Sequence, residues 1–78
     1  MKNFAVIGAA GYIAPRHFQA IKMTKNNLAV AMDVNDSVGV IDSYFPRAEF
    51  FTEFEDFSKY IDKLTTLGKQ VDYIVVCS

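Results

Sequence analysis

A glycine-containing segment has the clearest chemical potential in this sequence. Residues 8–14 are GAAGYIA and directly follow the apolar run of residues 4–7. A dinucleotide site requires a tight turn at such a place, a close approach of the backbone to a pyrophosphate, and close packing of a helix on a strand. Gly8 can make the turn, and Ala10 and Gly11 keep bulky side chains away from a phosphate. Ala14 is small enough for close helix packing.

The backbone N–H groups from Gly11 through Tyr12 to Ile13 would provide the anion site. At the beginning of a helix such groups lack intrahelical partners, and the helix dipole adds positive charge. The spacing is G-x-x-G-x-x-A, whereas G-x-G-x-x-G is commoner in dinucleotide-binding domains. The turn alone is therefore also compatible with a strand-to-helix connection that binds no ligand.

An acid after the second apolar run favours the nucleotide interpretation. Asp33 follows the apolar residues 28–32 and lies nineteen residues beyond Ala14. Rossmann domains place a carboxylate on the adenosine ribose at a spacing of about 20 residues. Such a carboxylate would accept hydrogen bonds from the ribose hydroxyls and repel a 2′-phosphate, so it favours NAD over NADP. Asn35 and Ser37 could add contacts to the ribose or adenine, although a helix cap explains Ser37 equally well.

Strands and helices alternate along the predicted chain. Continuous apolar runs at residues 4–7 and 28–32, and the largely apolar residues 71–77, predict strands covered on both faces. Residues 49–51 predict a brief further strand. Helical patterns occupy the segments between them. The order predicts an α/β fold, a partial Rossmann domain with helices on both faces. Its parallel sheet is expected to have three to four strands in the order 3-2-1-4.

The sequence also predicts the ends and faces of the helices. The first begins near Tyr12, has Pro15 in its first turn, and ends at a left-handed cap supplied by Asn26-Asn27. Its apolar pattern is formed by Ile13, His17, Ala20 and Ile21. The second is short, begins at Asp36 or Ser37, and ends before Pro46.

The third helix has a predicted capping box and a predicted stop. Thr52 and Glu55 match the box, with a hydroxyl at the N-cap and a carboxylate three residues later. The expected apolar face consists of Phe54, Phe57, Ile61 and Leu64. Gly68 is suited to the position just after the helix.

Composition excludes several classes of protein. The chain is 51% hydrophobic with a formal net charge of −1, so neither a disordered segment nor a nucleic-acid-binding surface is indicated. The single cysteine, Cys77, excludes an internal disulfide, and no apolar stretch approaches the about 20 residues of a membrane span. We therefore expect a cytoplasmic protein without membrane contact. Seven Phe and four Tyr indicate apolar surface that meets either the rest of a larger domain or a second copy of the chain, and a homo-oligomer is expected.

The remaining candidates for chemistry are assigned structural roles. His17, the only histidine, is expected to pack on the inner side of the first helix. Cys77 ends a strand and is expected in the core. The acidic residues 53, 55 and 56 belong to the first turn of a helix, where they complement its dipole. No metal-binding spacing and no catalytic residue are predicted.

Longer segments resemble the glucose–fructose oxidoreductase/inositol dehydrogenase (Gfo/Idh/MocA) family. They are FAVIGAAGYIAPRH at residues 4–17, followed by Asp33, then SYFP at 43–46, FFTEFE at 50–55 and DYIVVCS at 72–78. The resemblance spans the whole chain. It is strongest to bacterial members that oxidise the 3-hydroxyl of a UDP-linked N-acetylglucosaminuronic acid during surface-polysaccharide synthesis.

This resemblance implies that Gly11, Tyr12, Ile13 and Asp33 bind NAD. In such proteins a Pro-Asn loop, a Glu-Lys-Pro segment with a catalytic lysine, and a sugar-binding domain follow, and Ser78 precedes them all. Residues 1–78 are therefore expected to be the N-terminal part of a Rossmann domain, inactive by itself. The UDP-sugar would bind only to the complete protein.

Two other interpretations stay open at this stage. The pattern Gly-x-x-Gly-Tyr-Ile-small also resembles extended short-chain dehydrogenases such as the sugar-nucleotide epimerases. Those proteins usually have glycine where Ala14 stands, and they do not continue with Pro-Arg-His. The third interpretation is a flavodoxin-like interaction module without nucleotide affinity.

Overall fold

The computed structural model describes residues 1–36 and 39–77, in which four strands and three helices alternate. The strands are β1 (Asn3–Ile7), β2 (Asn27–Met32), β3 (Glu49–Phe51) and β4 (Tyr73–Val76). The helices are α1 (Ala14–Met23), α2 (Gly39–Tyr44) and α3 (Phe54–Thr66). The strands pair in parallel in the order β3-β2-β1-β4. The predicted α/β class and strand order 3-2-1-4 are confirmed.

Helices cover both faces of the sheet, as predicted. Adjacent residues of one strand point to opposite faces, and the two cores follow this alternation. Val6 of β1 packs in the cluster that contains Phe18 of α1 and Ile41 of α2. Ala5, its neighbour in β1, packs with Phe57 of α3. The two central strands are therefore buried on both sides, which explains their uninterrupted apolar sequences.

The last strand departs from the prediction that it is buried. Tyr73, Ile74 and Val76 of β4 are 54%, 53% and 66% exposed. The strand lies at the edge of the sheet and pairs only with β1. Its apolar sequence resembles that of a central strand, but no described element covers its outer flank. Tyr73 does make a ring contact with Phe4, at 5.2 Å between centroids.

Helix α1 begins later, and turns a different face inward, than the sequence pattern predicted. Pro15 does lie in the first turn. The buried residues are Ala14, Phe18 and Ile21, which are separated by four and three positions and form one stripe. Ile13 is the N-cap and is 42% exposed. Two further members of the predicted pattern lie off the stripe: Ala20 is exposed and His17 is half-buried.

The left-handed residue that ends α1 is Lys25, with φ of 61°, so the prediction of Asn26-Asn27 was wrong. The N–H of Asn26 donates to the carbonyl of Ile21, and that of Lys25 donates to Lys22. These two bonds form a Schellman motif, which satisfies the final carbonyls of the helix. Asn27 instead begins β2.

Helix α3 has the predicted end but not the predicted beginning. Glu53, not Thr52, is the N-cap, and no side chain caps the helix, so the capping box was wrong. Phe57 and Leu64 are buried, whereas Phe54 is 60% exposed because it lies in the first turn, beyond the sheet. The backbone of Gly68 has φ of 75°, as expected after a helix.

The second helix agrees with the prediction where it can be compared. It ends at Tyr44, before Pro46. Its predicted cap was Asp36 or Ser37, and Ser37 lies outside the described residues.

Candidate functional site

Gly8 occupies a position that tolerates no side chain. Its φ of 85° lies in the left-handed region that favours glycine. A Cβ atom on Gly8 would overlap the carbonyl oxygen of Cys77 and lie 3.0 Å from the carbonyl carbon. The N–H groups of Gly8 and Ala9 both donate to the carbonyl of Met32, at 2.9 and 3.0 Å. The turn is thus held between the ends of β2 and β4.

Gly11 closes the turn. Its N–H donates to the carbonyl of Gly8 at 2.9 Å, and its own carbonyl accepts from Ala14 at 3.2 Å. The Gly11 N–H is therefore not available to an anion, which corrects the sequence-based expectation. A Cβ atom here would lie 3.0 Å from the Gly8 carbonyl oxygen, so the turn is too tight for a larger residue without local movement.

The two N–H groups that do stay available belong to Tyr12 and Ile13. Neither group donates to any residue that the structure describes. Both precede α1, where Ala14 is completely buried and brings the helix close to the sheet. Because the positive end of the helix dipole points the same way, these groups can bind an anion such as a pyrophosphate.

Asp33 is held against the glycine turn. Its Oδ2 accepts a hydrogen bond from the Ala10 N–H at 2.9 Å, and its Oδ1 accepts one from Asn35 at 2.9 Å. The backbone N–H of Asp33 donates to Phe51 of β3 at 3.1 Å. The half-buried carboxylate is thereby fixed in orientation, and each oxygen keeps acceptor capacity for a ligand hydroxyl. No sequence pattern predicts the Ala10–Asp33 bond.

The site opens to solvent between exposed apolar side chains. Tyr12 is fully exposed, Val34 is 85% exposed and Ile13 is 42% exposed. Val34 was not among the predicted site residues. An apolar residue directly after the acid, in an otherwise polar segment, is the signal that could have identified it. Ser37, which was among them, lies outside the described residues.

The arrangement supports binding rather than bond-making chemistry. Cys77 is buried, and burial raises the pKa of its thiol, so it lacks the thiolate that a nucleophile requires. His17 is half-buried in α1. Within residues 1–36 and 39–77, no three His, Cys, Asp or Glu side chains are grouped as metal ligands. No helix of the described chain is long and apolar enough to cross a membrane.

Fold and site together define the class of protein. A glycine turn leads from the first strand of a parallel sheet into a helix, and an acid follows the neighbouring strand. This is the arrangement of a dinucleotide-binding Rossmann fold, with the site at the carboxyl ends of the strands.

Residues 2–78 match the oxidoreductase family with an NAD-binding Rossmann fold, GFO_IDH_MocA. The chain belongs to this family, and the predicted family and its NAD-binding type of fold are thereby confirmed. Of the three interpretations of the sequence, the match supports the first.

Two solved structures are similar along the whole chain. Both are of the WlbA (WbpB) dehydrogenase from Thermus thermophilus, one in complex with NAD and UDP-GlcNAcA and the other with NAD and alpha-ketoglutarate. Each is 49% identical to this chain with a TM-score of 0.96, and the match covers all of this chain. The chain spans 25% of the length of those proteins.

Proposed function

We propose that this chain forms the adenosine and pyrophosphate half of an NAD site. The residues assigned to it are Gly8, Ala10, Gly11, Tyr12, Ile13, Asp33 and Ser37. The observation that carries the proposal is the position of the Asp33 carboxylate, which is fixed to the Ala10 N–H at 2.9 Å. That contact brings a ribose acceptor and the pyrophosphate turn into one site.

Each part of the cofactor has a chemically suitable partner. The pyrophosphate accepts hydrogen bonds from the N–H groups of Tyr12 and Ile13, and Gly8 and Gly11 allow the close approach. The ribose hydroxyls donate to Asp33, whose negative charge disfavours a 2′-phosphate. Val34, exposed beside the acid, offers apolar surface for the adenine. The nicotinamide would extend beyond β4.

The reaction proposed for the whole protein is the NAD-dependent oxidation of a sugar hydroxyl. The 49% identity to a dehydrogenase whose structure holds NAD and UDP-GlcNAcA supports the 3-dehydrogenation of a UDP-linked N-acetylhexosaminuronic acid. We assign it to surface-polysaccharide synthesis in the cytoplasm and to a homo-oligomer. No described residue is in a position to transfer a proton, so the hydride step is assigned to the complete protein only.

The test is calorimetric titration of the protein with NAD, NADP and AMP, using Asp33→Asn. The substitution keeps the shape of the side chain, removes its charge and replaces one of the two oxygens that accept backbone N–H groups with an NH2 group. We expect NAD and AMP to bind about 10 to 100 times more weakly, since a hydrogen bond to a charged group contributes about 1.5–3 kcal/mol. The affinity for NADP should fall less, because the substitution also removes the repulsion between the carboxylate and the 2′-phosphate.

Asp36→Asn is the matched control, since Asp36 is an exposed acid in the same segment and is not assigned to the nucleotide site; asparagine can still cap a helix. It should leave all three affinities unchanged. Equal losses from both variants would show only a general effect of charge. Unchanged NAD binding by Asp33→Asn would contradict the proposed role of Asp33.

A further inference from the structure

A cavity of about 320 Å³ lies at the end of the sheet where β1 and β2 begin, opposite the glycine turn. Its walls include Asn3 and Asn27, the first residues of β1 and β2, whereas the turn follows the last residue of β1. The cavity exists because β3 is short. It pairs with β2 only from Val30 to Met32, so the beginning of β2 has no neighbour on that side.

The floor of this cavity is apolar. Leu28 and Leu64 are almost completely buried, and the ring of Tyr60 adds a half-buried aromatic wall. A second hollow of about 270 Å³ adjoins it through shared lining residues and extends along Phe45 and Pro46. Together they offer an apolar surface of a size suited to a small ring or chain.

The polar residues around the cavity include several hydrogen-bond donors. Arg47 and Lys69 line it, and neither side chain forms an ion pair or hydrogen bond with a described residue. The Asn27 amide donates to Asn3 Oδ1 at 3.2 Å, and the Asn3 amide donates to the Gln70 carbonyl at 3.3 Å. Each of these two amides keeps a second N–H for a ligand.

No carboxylate is among the described residues that line the cavity. Asp72 contacts a lining residue, since its Oδ2 accepts the backbone N–H of Asn3 at 2.8 Å. That bond holds Asp72 at the beginning of β1, and Asp72 is not part of the lining. Two unpaired cations and two amide donors above an apolar floor are complementary to an oxyanion that carries an apolar group.

We propose that this cavity binds a small organic oxyanion, a phosphate monoester or carboxylate attached to an aromatic or aliphatic group. Arg47 and Lys69 hold the oxyanion, and Leu28, Leu64 and Tyr60 contact the apolar part. The site lies at the opposite end of the strands from the proposed NAD site. It is therefore a second ligand site and does not depend on the first.

The test is an NMR titration of the isotopically labelled protein with phenyl phosphate, benzoate and inorganic phosphate. We expect saturable shift changes at the amides of Asn3, Asn27 and Lys69. Phenyl phosphate should bind more tightly than inorganic phosphate, because only the former fills the apolar floor. The affinity for phenyl phosphate relative to that for benzoate distinguishes a phosphate site from a carboxylate site. Arg47→Gln and Lys69→Gln should each weaken binding about three- to tenfold.

Lys63→Gln is the matched control, since it removes the same charge from an exposed residue of α3 that does not line the cavity. The Lys63→Gln protein should bind phenyl phosphate with the same affinity as the unchanged protein. Equal losses from all three variants, or no saturation, would overturn the proposal. So would shifts confined to residues 10–13, which would place the anion at α1 instead. Because Asp33→Asn leaves this cavity intact, failure of the NAD proposal would not alter the expected result.

Discussion

The glycine turn and the β4 strand lie side by side, yet they are stabilised in different ways. In the turn, the N–H groups of Gly8, Ala9, Ala10 and Gly11 all have partners within the first 33 residues. In β4, the backbone pairs with β1, but three of four side chains are more than half exposed. The turn is therefore complete by itself, whereas β4 exposes apolar surface that remains to be covered.

This contrast has a physical origin. The conformation of a turn depends on short-range hydrogen bonds and on the absence of Cβ atoms, which a few residues can provide. Burial of a strand requires neighbours on both sides, and in parallel sheets these come from distant parts of the chain. All the bonds that hold the proposed half-site together thus lie within a chain that spans 25% of the length of the two similar solved structures.

Gly8→Ala tests the point where the two regions meet and should have the largest effect. The left-handed backbone costs an L residue about 1–2 kcal/mol, and the overlap with the Cys77 carbonyl adds about 1–3 kcal/mol of overpacking. We expect urea denaturation to show a free energy of unfolding lower by about 2 to 5 kcal/mol. The control is Gly39→Ala, where a Cβ atom would meet nothing within 4 Å. A Gly8→Ala protein as stable as this control would contradict the contact between turn and strand.

Valine truncations in the two kinds of strand give the next largest difference. Val6 in β1 is completely buried, whereas Val76 in β4 is 66% exposed. Removing two buried carbons should cost about 2 kcal/mol, so Val6→Ala should lower the free energy of unfolding by that amount. Val76→Ala should change it by less than about 0.5 kcal/mol. Similar losses for the two variants would mean that the β4 flank is covered in solution, as the proposed homo-oligomer allows.

The sequence predicted most of the fold because its strands have distinct patterns. The apolar runs of β1 and β2 are buried on both faces, and their burial matches their composition. The prediction failed where composition and position disagree. The run that ends in Val76 has the residues of a strand covered on both faces and was predicted to be buried, although the predicted order 3-2-1-4, which is also the observed one, places it at an edge. Likewise Thr52 and Glu55 match a capping box, yet the helix begins one residue later, at a cap without a side-chain bond.

The sequence predicted which residues belong to the candidate site but not the contacts between them. Gly8, Gly11 and Asp33 follow from spacing, since dinucleotide sites place a turn and an acid at fixed distances. The bond from Ala10 to Asp33 could not be predicted, because it joins backbone to side chain across 23 positions. The close approach of the Cys77 carbonyl to Gly8 could not be predicted either, because it depends on how β4 pairs with β1.

Substitutions at the ends of α1 and α3 measure what a left-handed backbone alone contributes to the free energy of unfolding, without a contact such as that between Gly8 and Cys77. Their expected effects are the smallest. Lys25 and Gly68 hold the same position in two Schellman motifs, at φ of 61° and 75°. A Cβ atom on Gly68 would meet nothing within 4 Å, so Gly68→Ala should cost only the backbone term, about 1 kcal/mol. Lys25→Gly should stabilise the protein by about 0.5–1 kcal/mol, as measured by urea denaturation. If Gly68→Ala costs as much as Gly8→Ala, backbone conformation alone explains Gly8, and contact with Cys77 contributes nothing.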